Sequence, residues 1–314
     1  MVVAVMAVAL LLMKGAQAQP DYPDKPVQLI AQQPPGSLSE TISRIWAECA
    51  SRRLGQPIVV INKPGANGLI AINYLKQQPA DGYTIMTAGM SQLTITPYVY
   101  KVLPYDPSKD FDGVAVLGKN SLLLVAGVHT GIKQLVDINA HDVNYGSPGK
   151  GSPAHLLTAA VVESLKASGT HIPFVGEGAG VAALLGGHID IMTLTSGIAG
   201  PLIKDGRVIP LAIYADARDK AFAQIPTIVE LTGRRDLARP GWLALVVKAG
   251  TPPTVTGRLR EVTAQCVEID RRYGQRLRDV HVSPIDPFQA DVKSWTDTDT
   301  AVFRPIINQL GLTE

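Results

Sequence analysis

The chain has 314 residues, 46% hydrophobic and 18% charged, with a formal net charge of +2. That composition excludes a disordered chain and leaves room for about two domains at roughly 150 residues each. No Lys/Arg-rich run is present and only 5% of residues are aromatic, so a nucleic-acid partner, which needs a basic footprint and stacking platforms, is not expected.

The opening MVVAVMAVALLLM is an apolar run of 13 residues, too short for the ~20 that span a bilayer. Ala16-Gln17-Ala18 follows as a small-x-small cleavage pattern. Residues 1–18 therefore read as a secretory signal peptide, although no Lys or Arg precedes the run and Lys14 follows it. No later segment is long and apolar enough to cross a membrane, and the mature protein is expected to be soluble and exported. Cys49 and Cys266 are the only cysteines, and without a Cys-x-x-Cys pair they do not form a zinc site. Export permits a disulfide. Cys49 also falls on the apolar stripe of a predicted helix, which equally suits a buried free thiol.

Strand-like and helix-like segments then alternate. VQLIA (27–31), PIVVI (57–61), YTIMTA (83–88), 114–117 and 122–125 read as strands, with helices over 37–54 and 69–78. Ile42, Ile45, Trp46, Cys49 and Leu54 share one side of the first helix, and Gly55 stops it. A second set follows: strands at 143–147, 170–175, 189–194, 208–215 and 243–247, and helices at 152–168, 180–185 and 198–205. Segments 252–278 and 287–310 read as mostly helical. This alternation predicts mostly parallel sheets flanked by helices. Two α/β lobes are expected, residues 19–121 with 245–314 and residues 122–244. No Pro/Gly/Ser-rich linker separates them, so strands near Leu122 and Leu243 are expected to make the crossovers. In such sheets ligands sit at the carboxyl ends of strands.

The stretch NYGSPGKGSPAHL, 144–156, is rich in groups that serve catalysis or binding. It fails as a P-loop, because Lys150 is followed by Gly151 and no glycine stands five residues before Gly149. It fails as a nucleophile elbow, because neither Ser147 nor Ser152 has both flanking glycines. Ser152 and His155 are three residues apart, a spacing that suits a helix cap and a first-turn side chain better than a triad. The sequence has no H-E-x-x-H, and its six histidines are scattered, so no metal is expected. Gly178 to Ala183 spells G-x-G-x-x-A, but no acidic residue follows at about 20 positions on a strand end, and no cofactor is expected.

A helix start is the simpler reading. Ser152-Pro153 provides an N-cap and a proline at N1, and Gly146, Gly149 and Gly151 let backbone amides turn toward a ligand. The unpaired amides and partial positive charge of a helix start make a ready anion site. Gln33-Pro34-Pro35-Gly36-Ser37-Leu38-Ser39-Glu40 repeats the arrangement after VQLIA, with Ser37 and Glu40 spelling a capping box. Two such starts, one per lobe, would grip a carboxylate between them.

The order and spacing of several segments resemble the Bug family of periplasmic solute-binding proteins that serve tripartite tricarboxylate transporters. The segments are YPDKPV (22–27), PPG (34–36), NKPGANG (62–68), DGYT (81–84), LPYDP (103–107), NYGS (144–147) with Gly149, Gly151, Ser152 and His155, and GTP (250–252). The resemblance covers nearly all of the mature chain. It implies a two-lobed clamshell binding a small carboxylate between lobes, no catalysis, a monomer, and inner-membrane permease subunits or a sensor as partners. By position it implies Gly36, Ser37, Ser39 and Glu40 as ligand-binding residues from the first lobe, with Ser91 as an addition. From the second lobe it implies Ser147, Gly149, Ser152 and His155. An exported hydrolase using a cleft serine is the competing reading.

The sequence also departs from the family pattern. Gly36-Ser37-Leu38-Ser39-Glu40 stands where Gly-Gly-x-x-Asp is usual. Pro173-Phe174-Val175-Gly176 replaces Pro-Tyr-Lys-Gly, and Thr195-Ser196-Gly197 replaces a usual Asp-Asn segment. Phe174, Gly176 and Ser196 therefore join the expected site. The distal pocket is expected to be less polar than is common, suiting a carboxylate with an apolar or aromatic body rather than citrate or a dicarboxylic amino acid.

Overall fold

The computed structural model describes residues 22–313; the signal peptide expected at 1–18 lies outside them. Helices of eight residues or more are numbered here. Near-continuous runs of Val, Ile, Leu and Ala form the strands, because most are covered on both faces. They comprise β1 (Val27–Ala31), β2 (Ile58–Asn62), β3 (Thr84–Gly89), β4 (Phe111–Asn120), β5 (Leu122–Gly127) and β6 (Asp142–Ser147). The rest are β7 (Ser168–Pro173), β8 (Ile191–Thr195), β9 (Val208–Ile213), β10 (Gly241–Lys248) and β11 (Val282–Pro284). Every residue of β3 and β5 is buried.

The strands form two sheets, ordered β11-β4-β10-β3-β1-β2 and β7-β6-β8-β5-β9. Both are mixed rather than mostly parallel. β1 pairs parallel with β2 and β3, and β6 with β7 and β8. β10 runs antiparallel to β3 and β4, and β5 antiparallel to β8 and β9. The cause is the connection itself. β4 runs through Ser121 into β5, so one extended segment serves both sheets, and β10 brings the chain back against β4.

Helices cover the faces: α1 (Leu38–Leu54), α2 (Leu69–Lys76), α3 (Pro153–Ser164), α4 (Glu177–Leu185), α5 (Ser196–Lys204), α6 (Pro253–Glu268), α7 (Arg271–Asp279) and α8 (Val292–Gln309). Ile42, Ile45 and Trp46 of α1 and Leu259 and Val262 of α6 share a core with Val27, Leu29 and Ile85 of the first sheet. α8 places Phe303 and Ile307 in a core that runs on to Leu156, Leu157 and Val161 of α3. α4 and α5 cover the second sheet through Leu184, Ala199 and Leu202. Among the described residues no helix is long and apolar enough to cross a membrane.

Several boundaries differ from expectation, and three of them have a local cause. The segment 252–278 is two helices, because Asp270 accepts from the Tyr273 amide and starts α7. α3 ends at Ser164 rather than 168, where Lys166 turns at φ 56°. α4 starts at Glu177, three residues before the expected 180. Cys49 of α1 and Cys266 of α6 are joined in a disulfide with a Cα–Cα distance of 6.0 Å.

Candidate functional site

The first helix start forms as its residues dictate. Ser37, extended at φ −72° and ψ 156°, accepts the Glu40 amide on Oγ at 3.3 Å. Glu40 returns Oε2 to the Gly36 amide at 3.3 Å and pairs through Oε1 with Arg44. In the second lobe Ser152 accepts the His155 amide at 3.2 Å, and Pro153 occupies the first turn. Both starts reach one cavity of about 150 Å³ between the two sheets. Ser37, Leu38 and Ser39 line it from one side and Ser152, Pro153 and Ala154 from the other. The amides of Leu38, Ser39 and Ala154 have no hydrogen-bond partner among the described residues. Each helix start also carries about half a positive charge. Two independent dipoles therefore aim at the same small volume.

Loops of the two lobes meet around this cavity. Asn67, held at φ 51°, donates Nδ2 to the Lys150 carbonyl at 3.3 Å. Gly176 faces Pro34, where a Cβ would stand 3.4 Å from the proline ring, and Gly197 lies against Leu38, where a Cβ would stand 3.2 Å from the leucine Cδ1. A larger groove of about 1250 Å³ lies between residues 93–113 and α8. It is lined by the first lobe and α8 only, and is not shared between the two helix starts.

Of the residues singled out from sequence, Ser37, Ser39, Ser91 and Ser152 line the cavity. The others are placed around it. Gly36, at φ 83°, turns the chain into α1, and Glu40, 4% exposed, spends its carboxylate on the cap and Arg44. Ser147 is fully buried; its Oγ donates to the Gly149 carbonyl at 2.9 Å and meets His171 Nε2 at 2.7 Å. Gly149, at φ 143°, gives its amide to Ser147. His155 accepts the Gly151 amide on Nδ1 at 3.1 Å and stacks on His171 with centroids 3.7 Å apart. Phe174 packs against Gly146 and Gly180 inside the second lobe. Ser196, fully buried, donates to the His281 carbonyl at 3.1 Å.

Burial, then His171 and Lys150, push His155 down to about 3, and burial and Lys150 push His171 down to about 4. Both rings are neutral at neutral pH, and His155, accepting on Nδ1, carries its proton on Nε2. Ser147 and His171 have the contact of a nucleophile and base. However, Ser147 is sealed from the cavity, and among the described residues no carboxylate orients His171.

The sequence reading missed several lining residues. Gln32 just after β1, Gln92 in the helical turn after β3, Asn120 of β4 and Trp242 of β10 line the cavity on one side, and Thr193 and Thr195 of β8 with Glu177 of α4 on the other. The Trp242 indole donates Nε1 to Asp299 Oδ2 at 2.5 Å, and Asp299, fully buried on α8, pairs with Arg239. Burial raises the Asp299 pKa, against the pull of Trp242 and Arg239. Glu177 accepts the Thr195 amide on Oε1 at 2.6 Å, and the Thr195 hydroxyl reaches both oxygens at 3.0 and 2.9 Å. Burial lifts its pKa to about 7, opposed by those bonds. Asn67 was marked only by NKPGANG, and Trp242 only by its place beside the expected crossover at Leu243.

A family model for the tripartite tricarboxylate transporter family receptor matches residues 42–312. A UPF0065 protein of Bordetella pertussis is 30% identical, covering 98% of this chain and 96% of its own length. Protein BugT of the same organism is 31% identical over 74% of each chain. A solved periplasmic transporter superposes with a TM-score of 0.84 at 26% identity, covering 93% of this chain and 99% of that one. An R. palustris protein solved with adipate gives a TM-score of 0.85 at 24% identity over the same shares.

Proposed function

The chain belongs to the tripartite tricarboxylate transporter receptor family, and from that premise we propose that it captures a small organic carboxylate between its lobes in the periplasm. It reaches the periplasm through the N-terminal apolar segment and hands its ligand to inner-membrane permease subunits or to a sensor. One observation carries this reading: the starts of α1 and α3, from opposite lobes, converge on a single cavity. A carboxylate there accepts the unpartnered amides of Leu38, Ser39 and Ala154 and hydroxyls such as Ser91. Charge-assisted hydrogen bonds net roughly 1.5–3 kcal/mol each, so four or so support the ~8 kcal/mol of a micromolar complex. Because the contacts come from both lobes, ligand selects the closed form. Solved proteins of the same fold, one with adipate and one with bound malate, support the carboxylate class.

The test is a thermal-shift and calorimetric screen of the full-length mature chain against carboxylates. A ligand at 100 times its Kd adds about 2.7 kcal/mol to stability. A ligand-soaked crystal whose carboxylate lies away from residues 37–39 and 152–154 refutes the reading. The hydrolase alternative rests on the Ser147–His171 contact. Turnover of esters by pure protein, lost in Ser147→Ala, is the result that would favour it.

A further inference from the structure

The cavity has a second pole that an anion alone does not satisfy. Glu177 opens α4 at the carboxyl end of the second sheet and lines the cavity. Its carboxylate, able to accept about four hydrogen bonds, receives only the amide and hydroxyl of Thr195. Among the described residues no Lys, Arg or His forms an ion pair with it. Thr195 stands opposite Leu122 in the β5–β8 ladder, and the Ser196 amide donates to the Ser121 carbonyl at 2.9 Å. The next residue back along that strand is Asn120. It lines the same cavity, is 8% exposed, and spends Nδ2 on the Ser121 carbonyl at 3.1 Å. Its Oδ1 has no donor among the described residues, and Gly241, lacking a side chain, leaves room for that amide. Two unfilled acceptors, one a carboxylate, thus bracket the crossover.

We propose that Glu177 and Asn120 form a cation-accepting pole, and that the ligand is a small zwitterion. Its carboxylate sits at the two helix starts, a protonated nitrogen meets Glu177 and Asn120 Oδ1, and a short apolar body joins them. This deepens the carboxylate-receptor reading and rests on it. Leu38, Leu122 and Trp242 supply apolar wall for the body. A cavity of about 150 Å³ holds roughly a six-membered ring, which sets the size class. A second carboxylate on the ligand would confront Glu177 instead of a donor, so di- and tricarboxylates are disfavoured by charge. The apolar-bodied monocarboxylate expected from sequence therefore gains a positive charge.

Matched pairs test the proposal by calorimetry at pH 8. Cyclohexanecarboxylate is compared with the three piperidinecarboxylates, and pentanoate and hexanoate with 4-aminobutanoate and 5-aminopentanoate. At least one zwitterion binds tenfold or more tighter than its isosteric monoanion. Glu177→Gln, which keeps the shape, brings that ratio to about one, and Glu261→Gln on the exposed face of α6 keeps it. Equal affinity within every pair, or a ratio unmoved by Glu177→Gln, overturns the zwitterion and leaves the carboxylate receptor intact. A preference for dianions that strengthens as pH falls also overturns it, since Glu177 would then act as a proton donor. Failure of every carboxylate to bind overturns both readings together.

Discussion

Glu177→Gln in the ligand-free protein should reveal a cost that the site imposes on the fold. In an unfolded chain this carboxyl titrates near the usual 4.5; burial in the cavity wall lifts it to about 7. Below pH 4.5 both states hold the proton and the group is neutral in the balance. Between 4.5 and 7 the folded state keeps a proton that the unfolded state has released, so stability falls as pH rises. Above 7 both are ionised and the full cost is present. The difference in pKa corresponds to about 3 kcal/mol at roughly 1.4 kcal/mol per tenfold change in acidity. Partial exposure to the cavity reduces this to about 2 kcal/mol. Glutamine keeps an acceptor for the Thr195 amide and carries no charge. Urea unfolding from pH 4 to 8.5 should therefore show no gain for the variant at pH 4 and about 2 kcal/mol at pH 8.5. A gain that is the same at every pH refutes the account of Glu177 as a charge held in a poorly solvated wall. Strain kept at a site in the unliganded state is what a ligand of opposite charge relieves.

The histidine pair acts on the acid side. His155 and His171 are held at about 3 and 4, so an unfolded chain gains protons below about 6.5 that the folded chain refuses, and stability falls as pH drops. His155→Asn, which retains an acceptor for the Gly151 amide, should reduce the slope of unfolding free energy on pH between 6.5 and 4 by up to about 1.4 kcal/mol per pH unit. Parallel slopes would show that the ring already binds protons when folded. The Cys49–Cys266 bond closes a sequence separation of 217 residues. Chain entropy gives about 5 kcal/mol for such a loop as an upper bound, so Cys49→Ala/Cys266→Ala should lower the urea-unfolding free energy by about 3–5 kcal/mol. Asp299→Ala should cost about 3–5 kcal/mol, because it strands Arg239 at the edge of a buried pair and frees the Trp242 indole. The same variant should weaken carboxylate binding, read by calorimetry under conditions where it is folded, since Trp242 forms part of the cavity wall.

What was legible in the sequence is what is decided locally or by burial on both faces. VQLIA and YTIMTA need no partner to be read as strands, and Ser152-Pro153 and Gly55 punctuate their helices by their own backbone preferences. β11 escaped because three residues, Val282–Pro284, are held by pairing with β4 rather than by pattern. The sheets are mixed because one extended segment, β4 with β5, serves both, and alternation of strands and helices says nothing of a strand's direction. Ser147, at the end of the strand expected over 143–147, reads as a ligand-binding residue. The last residue of β6 instead faces inward onto His171, which lies 24 positions away and which no local rule connects to it.

The two glutamates at helix starts show where legibility ends. Glu40 stands third in α1, behind a serine cap, and its own backbone offers a bond one turn back; with Arg44 four residues on, its charge is consumed within the helix that carries it. S-x-x-E announced as much. Glu177 stands first in α4, behind Gly176, which has no side chain to cap with and whose φ of 86° disfavours any residue that has one. Nothing local competes for its carboxylate. Three glycines in the five residues 176–180 lowered the helix propensity of that stretch enough to hide the helix start. The tertiary contact to Thr195, 18 residues on, supplies what propensity lacked. A charge that its own helix does not use is left to the cavity, and so the residue hardest to read from sequence is the one with most chemistry left to offer a ligand.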